Sequence, residues 1–224
     1  MSISKEIRKR LEEAGKRFHG NDNIAEYIKE GELQLLQDEV TEKFQEVLNT
    51  LVIDTANDHN TQETAKRVAK MWIREIFGGR YIPEPRVTSF PNMGYKSMYT
   101  SGPISIRSTC AHHFQNIVGN AWVGIIPNGE VIGLSKFNRI IHHIVERPQI
   151  QEEMTTQIAE ALQEYAHTKN IAVVVKAEHH CMTHRGVREH DSDMTTAIML
   201  GHFKEDPATR DEFYKICLSM KGHG

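Results

Sequence analysis

Two short segments of the sequence place a cysteine beside paired histidines, a combination that can bind a metal ion. The first reads STCAHHF and contains Cys110, and the second reads EHHCMTHRG and contains Cys181. Thiolate and imidazole are the ligands that zinc prefers, and the spacing from Cys110 to His113 allows both side chains to reach one ion. If the second segment is a strand, side chains alternate along it and His179 shares a face with Cys181. Cys181 is then a candidate third ligand.

The residues alone leave the chemistry of these segments open. The strong candidates are Cys110, Cys181 and one of His112 or His113, and three protein ligands would leave a fourth position for water, as in catalytic zinc sites. The alternative is that both cysteines are ordinary buried thiols and that the histidines are surface pairs. The sequence lacks the signature of zinc deaminases and the His-Glu-x-x-His signature of metalloproteases.

A second candidate site lies in the segment GLSKFNR. Ser135 is a suitable N-cap for the helix that follows, and Lys136 and Arg139 are three residues apart on one face of its first turns. The N-terminus of a helix favours phosphate, and cations placed there do not favour the helix itself. Arg185, four residues after Cys181, would add a guanidinium near the metal cluster. The alternative is a solvated basic face, which is the commoner explanation of an isolated Lys-x-x-Arg.

Other polar residues are less informative. Glu152 lies in the first turn of a helix that follows Pro148, where capping explains its charge, although a carboxylate can also accept hydrogen bonds from the N–H groups of guanine. Arg67, on an early helix, has no assignment from spacing alone. We expect the pair His142 and His143 to lie on a solvated helix face.

The periodicity of apolar residues predicts an α+β fold with antiparallel pairing in its sheet. Helical spacing covers 33–51, 61–77, the segment between Ser135 and Pro148, 149–168 and 210–221. Gly78-Gly79 is expected to end the second of these helices. Strand-like segments read ISIRST, NIVGNAWVGIIP, EVIGLS, NIAVVVKAEHHC and MTTAIMLG. We expect residues 1–30 to form a polar helical arm and residues 31–224 to form the main domain, which the resemblance described below implies is catalytic.

The composition fits a cytoplasmic protein. The 224 residues are 39% hydrophobic and carry a formal net charge of −3, which argues against a globally basic protein that coats nucleic acid. No apolar run approaches the length of about 18 residues that a membrane span requires. The charged N-terminus does not resemble a secretory signal, and three cysteines are too few for a disulfide framework. We therefore expect no membrane and no nucleic-acid partner, and we expect Cys217 to pack as a small hydrophobic residue.

Several motifs together resemble those of the GTP cyclohydrolase I family. STCAHHF, GLSKFNRI, ERPQIQEEMTTQI and HHCMTHRGV follow the family's motifs in order and at similar spacing, within a resemblance that runs from about Leu33 to Phe213. The resemblance implies a tunnelling-type fold, an antiparallel sheet backed by helices that assembles into a ring-shaped homodecamer with sites at subunit interfaces. It implies an enzyme that converts GTP to 7,8-dihydroneopterin triphosphate and formate, the first step of pterin and tetrahydrofolate-type biosynthesis.

The resemblance also implies a role for each matching residue. The zinc (Zn2+) ligands would be Cys110, His113 and Cys181. The catalytic residues that transfer protons would be His112 and His179. The GTP-binding residues would be Gln151 and Glu152 at the guanine and Arg67, Ser135, Lys136, Arg139 and Arg185 at the polyphosphate and ribose. The sequence departs from the family's pattern at Ala65, where a proline is usual, at Met194, where a threonine is usual, and at His184.

Two other functions compete with this prediction. One is a non-catalytic, zinc-stabilised ring protein that binds nucleotides. The other is a different enzyme of the tunnelling fold that acts on a purine or pterin, such as one that reduces a nitrile on a deazapurine. The second would need nicotinamide binding, and the sequence contains no glycine-rich dinucleotide fingerprint.

Overall fold

The computed structural model describes residues 2–220. Its contacts divide the chain into two compact units, one up to Pro83 and one from Glu84 onward. The proposed division after residue 30 separates an arm from a catalytic domain and stays a prediction. None of the helices in the described residues is long and apolar enough to span a membrane.

The first unit is helical. Its elements are α1 (Ile3–Glu13), a 3-10 turn (Ala25–Tyr27), α2 (Glu32–Thr50), α3 (Thr64–Met71), a π-helical turn (Trp72–Ile76) and α4 (Gly78–Tyr81). Ile7 and Leu11 of α1 are buried in a small core with Leu36 of α2. The helical segment predicted over 61–77 ends at Ile76, just before Gly78-Gly79 as expected, and a separate short helix begins at Gly78. The cost of glycine in a helix, about 1 kcal/mol, is small enough for packing to override, and both glycines are buried.

The second unit contains a curled sheet with helices packed on it. Its strands are β1 (Ser89–Pro91), β2 (Tyr99–Cys110), β3 (Asn116–Ile125), β4 (Glu130–Ile132), β5 (Pro148–Gln149), β6 (Ile171–His179) and β7 (Met194–Met199). Its helices are α5 (Leu134–Val145), α6 (Gln151–Ala166), α7 (His180–Thr183), α8 (His202–Glu205) and α9 (Pro207–Ser219). The α+β class predicted from the sequence is confirmed.

The main sheet has the strand order β5-β2-β3-β6-β7, and β1 pairs with β4 in a small separate ribbon. Neighbouring strands from β2 to β7 are antiparallel, as predicted, but β5 pairs with β2 in parallel, so the sheet is mixed. The parallel pair arises because helix α5 carries the chain back along β2 before β5 begins. The helix predicted over 149–168 begins at Gln151, because residues 148–149 form strand β5.

Helices α5 and α6 cover one face of the sheet and build the main core. The side chains that α5 and α6 bury there include Phe137, Ile140, Ile141, Ile144, Met154, Ile158 and Leu162. Each such side chain contributes about 1.5–3 kcal/mol by leaving water. A second cluster joins Phe203 and Phe213 to Val174 of β6. Cys217 is buried in that cluster, as predicted, and burial raises its pKa to about 12.

Candidate functional site

Cys110 and Cys181, the two cysteines of the motifs, meet at one end of the main sheet, which we call the thiol end. Strand β3 lies between β2 and β6, and its register places the end of β2 and the end of β6 side by side. Cys110 is buried and Cys181 is half-buried. Burial raises the pKa of the Cys181 thiol, and the adjacent Cys110 raises it further. One correction concerns the route: strand β6 ends at His179, so Cys181 reaches Cys110 from helix α7 and not by alternation along a strand.

The histidines of the first motif lie in the turn that follows β2. His112 Nδ1 is 3.8 Å from Cys110 Sγ. His113 Nε2 is 3.0 Å from Nη1 of Arg185. A guanidinium only donates hydrogen bonds, so Nε2 of His113 accepts this one, and the lone pair that a metal would take faces Arg185. Within residues 2–220, the two thiols and a histidine do not form a trio with all ligand atoms within 4.8 Å of one another.

Gln151 fixes the orientation of His179. Its Nε2 group lies 3.1 Å from the Val175 carbonyl oxygen and 3.0 Å from that of Met194. Both carbonyls only accept, so the amide nitrogen must face them and Oε1 must face His179, 2.8 Å from its Nε2. His179 therefore donates from Nε2 and keeps its lone pair on Nδ1. The Gln151 side chain is fully buried, so its amide is committed within the protein.

Glu152 lies beside this pair at the exposed start of helix α6. Its negative charge acts on His179, whose pKa is lowered by burial and raised in part by Glu152. The helix begins at Gln151 with Ile150 as its N-cap, and no side chain caps it. Glu152 is therefore a carboxylate at the positive end of a helix, close to a histidine of fixed orientation.

The second candidate site, the segment GLSKFNR with the cations Lys136 and Arg139, lies at the opposite end of β2. The Tyr99 ring, at the start of β2, packs against Phe137 of α5 with ring centroids 6.1 Å apart. Cys110 ends the same strand. At about 3.3 Å per residue, it lies roughly 30 Å or more from Tyr99. Lys136 and Arg139 flank Phe137 on α5, so one copy of the chain does not bring them to the thiols.

Three other predictions concern single residues outside the two cysteine motifs. Ser135 is exposed and lies inside α5, so its predicted role as N-cap is wrong; Gly133 takes that position with an extended backbone. Arg67 lies on α3 in the first unit. His143 is half-buried, contrary to the expectation of a solvated face, and lines a cleft between α5 and α6.

The sequence reasoning missed a cluster of three polar side chains next to Cys181. Glu178, His180 and His184 each bring a possible ligand atom within 4.8 Å of the others. The signal was present, since histidines four residues apart on a helical turn share a face. The strand pattern of NIAVVVKAEHHC hides it, because that pattern predicts a strand through His180, where the structure has a helical turn.

Comparisons with known proteins identify the family of the chain. Residues 40–218 match the sequence model of the family described as GTP cyclohydrolase I. The chain is similar to GTP cyclohydrolase 1 of Vibrio cholerae serotype O1, with 42% identity over 179 residues, which is 79% of this chain and 82% of the relative. It is 41% identical to GTP cyclohydrolase 1 of Aliivibrio fischeri and 40% identical to that of Shewanella baltica, with the same coverage. The resemblance inferred from the motifs is confirmed, and the chain belongs to the GTP cyclohydrolase I family.

Proposed function

We propose that this chain is an enzyme that converts GTP and water to 7,8-dihydroneopterin triphosphate and formate, the first step of pterin and tetrahydrofolate biosynthesis. The observation that carries the proposal is the grouping at one end of the sheet of two thiols, two adjoining histidines and a third histidine held by Gln151. In a chain of this family, that grouping combines a metal-binding donor set with groups that can move protons. Its three free cysteines are consistent with a reducing cytoplasm, where we place the enzyme.

The donor set at the thiol end fits zinc. Two sulfur donors already lie next to each other, and His113 can supply an imidazole nitrogen if the ring releases Arg185. We assign Cys110, His113 and Cys181 as the ligands, which leaves His112 for proton transfer. When bound, zinc would supply Lewis-acid activation of the water that attacks C8 of the purine.

His179 is suited to proton transfer through one defined atom. Its Nε2–H is donated to Gln151, so only Nδ1 can exchange a proton with the substrate. The purine must gain a proton at N7 when C8 is attacked, and a histidine within hydrogen-bond reach can deliver it. We propose that His179 or His112 first takes the proton that the attacking water gives up and then passes it to N7, and that the other assists ring opening and release of formate.

Glu152 and Gln151 would act together at the guanine end of the substrate. The Glu152 carboxylate can accept hydrogen bonds from the ring and amino N–H groups of guanine. Because the Gln151 amide is committed to His179 and to the two carbonyls, a contact of Gln151 with guanine would have to come from its main chain. Its side chain is therefore a positioning group for His179.

The positions of the cationic residues favour an oligomeric enzyme. Ser135, Lys136 and Arg139 would hold the ribose and polyphosphate, but they lie at the far end of β2 from Cys110. One nucleotide cannot bridge that length, so the α5 start of one copy must meet the thiol end of another. We propose a ring-shaped homodecamer of the tunnelling fold with sites at subunit interfaces, to which Arg185 and Arg67 contribute further phosphate contacts.

The decisive experiment measures formate release from GTP by the zinc-loaded protein, with pterin fluorescence after oxidation recorded in parallel. Equal yields of formate and pterin are expected. His179→Ala should lose turnover by about 100-fold or more while zinc content stays constant. His142→Ala, an exposed histidine on α5, is the matched control and should keep wild-type turnover.

The rival functions predict other outcomes. A non-catalytic ring protein would bind GTP without releasing formate, and removal of its structural zinc would unfold it. A different purine or pterin enzyme would consume no GTP. If formate and pterin do not appear while zinc stays bound, the proposed reaction is wrong although the metal site would stand.

A further inference from the structure

A second cluster of metal-ligating side chains lies next to the thiol pair. Glu178 is near the end of β6, His180 begins α7 and His184 follows its last residue. Their ligand atoms all lie within 4.8 Å of one another, and no other such trio occurs in the described range 2–220. We propose that these three residues form a binding site for a second divalent transition-metal ion, distinct from the site of the two cysteines.

The separations suit an ion held between the side chains. Nε2 of His180 is 3.7 Å from Oε1 of Glu178, which is too long for a hydrogen bond. Two ligands of a tetrahedral zinc with bonds of about 2.0–2.1 Å lie about 3.3 Å apart, so a small adjustment accommodates the ion. The rings of His180 and His184 are in edge-to-face contact, with centroids 4.1 Å apart and planes at 66°.

The buried Thr183 orients two of the three ligands, Glu178 and His184. The Thr183 hydroxyl donates to Oε1 of Glu178 at 2.7 Å and lies 3.2 Å from Nδ1 of His184. The hydroxyl has one proton, which Glu178 receives, so it must accept from Nδ1–H of His184. The lone pair of His184 is then on Nε2, available to a metal. Second-sphere contacts of this kind fix ligand tautomers in metal sites.

The cluster does not include either thiol, since neither cysteine sulfur lies within 4.8 Å of all three ligand atoms. Side chains alternate along β6, so Glu178 points to the opposite side of the strand from His179, which faces Gln151 on α6. Lys176, two residues earlier on the same side of the strand, pairs with Asp193 at 2.8 Å. The Glu178 carboxylate is therefore not neutralised by that lysine.

The donor set defines the class of ion. Two imidazoles and one carboxylate form the ligand set of zinc sites that keep a position open for water. Calcium and magnesium prefer oxygen ligands throughout, so they are poor candidates. A bound ion would join the end of β6 to α7, the short helix that carries Cys181.

Cobalt(II) added to the metal-stripped full-length protein tests the proposal without any assay of activity. After removal of unbound metal, the cobalt content per subunit and the thiolate-to-cobalt charge-transfer band are measured. His184→Ala should bind one equivalent fewer than the wild type with the charge-transfer band unchanged, because it removes only a nitrogen ligand. His190→Ala, an exposed histidine outside the cluster, should match the wild type.

Two further variants make the result decisive. Glu178→Gln keeps an oxygen that accepts from Thr183 but removes the charge, so it should also bind one equivalent of cobalt fewer than the wild type. This variant tests the second site if His184→Ala fails to fold. Cys181→Ser should lose the charge-transfer band and keep the nitrogen-bound equivalent. Unchanged cobalt content in both His184→Ala and Glu178→Gln refutes the second site. Loss of all cobalt in Cys181→Ser also refutes it, because the cluster would then bind metal only as part of the thiol centre.

Discussion

The half-buried His143 should make the stability of the protein fall as the pH is lowered. It lines a cleft of about 200 Å³ between α5 and α6, together with Glu84 and Tyr165, whose hydroxyl donates to Glu84 at 3.0 Å. Burial, together with the Arg147 guanidinium, lowers the pKa of His143 to about 4, although Glu84 opposes both effects. The folded protein thus holds this ring neutral, whereas the unfolded chain protonates it near 6.5.

The sign and size of the effect follow from this difference. Below about pH 6.5 the unfolded state binds a proton that the folded state does not, so stability is complete above that pH and is lost as the pH falls toward 4. At 1.36 kcal/mol for each pH unit, the limit is about 3.4 kcal/mol. The ring of His143 is partly exposed and solvent screens its charge, which reduces the expected loss to about 1–2 kcal/mol.

Urea unfolding of the wild type and His143→Gln, at equal protein concentration from about pH 7.5 to about pH 4.5, measures the effect. The variant cannot titrate at this position, so its stability relative to the wild type should rise by about 1–2 kcal/mol across the range. Other titrating groups and any change of assembly are common to both proteins and cancel in the difference. His142→Gln, exposed on the same helix, should show a constant difference. A difference for His143→Gln that does not change with pH would refute the reasoning.

Two substitutions test the framework around the site. Gly119→Ala should lower the free energy of unfolding by about 1–3 kcal/mol, because a Cβ on β3 would overlap the backbone of β6, whereas Gly129→Ala, in open space, should change it little. An equal effect of the two would contradict the packing described here. Gln151→Leu should lower stability by about 1–3 kcal/mol and lower kcat with little change in KM, because His179 loses the acceptor that fixes its tautomer. An unchanged kcat would show that the contact does not position the histidine.

The sequence predicted what depends on periodicity and on local motifs. The apolar positions of α5 and α6, the strands β2, β3 and β6 and the convergence of Cys110 with Cys181 all follow from such patterns. Periodicity does not show where a strand gives way to a helical turn. For this reason Cys181 was placed on β6, although it lies on α7.

Sequence patterns do not predict contacts that depend on tertiary packing. Nothing local indicates that the Gln151 amide would be held by carbonyls of β6 and β7, and that choice decides which nitrogen of His179 is free. Ser135 was expected to cap α5 because serine favours that position, but the extended backbone at Gly133 starts the helix earlier. His143 lies at the edge of the buried face of α5, where the cover provided by α6 decides its exposure.

The separation of the cationic residues from the thiols leads to a test of where the complete site forms. A copy with Cys110→Ser lacks a thiol but keeps Arg139, and a copy with both Lys136→Ala and Arg139→Ala keeps the thiols but lacks the cations. If each site takes its thiols from one copy and its cations from another, random assembly of equal amounts makes about a quarter of the sites complete.

Co-expression of the two variants with different tags should therefore restore roughly a quarter of wild-type formate release, although each variant alone is nearly inactive. If one copy supplied both groups, no mixed oligomer would contain a complete site and activity would stay at the level of the separate variants. That result would contradict the distance between the two ends of β2 on which the interface proposal depends.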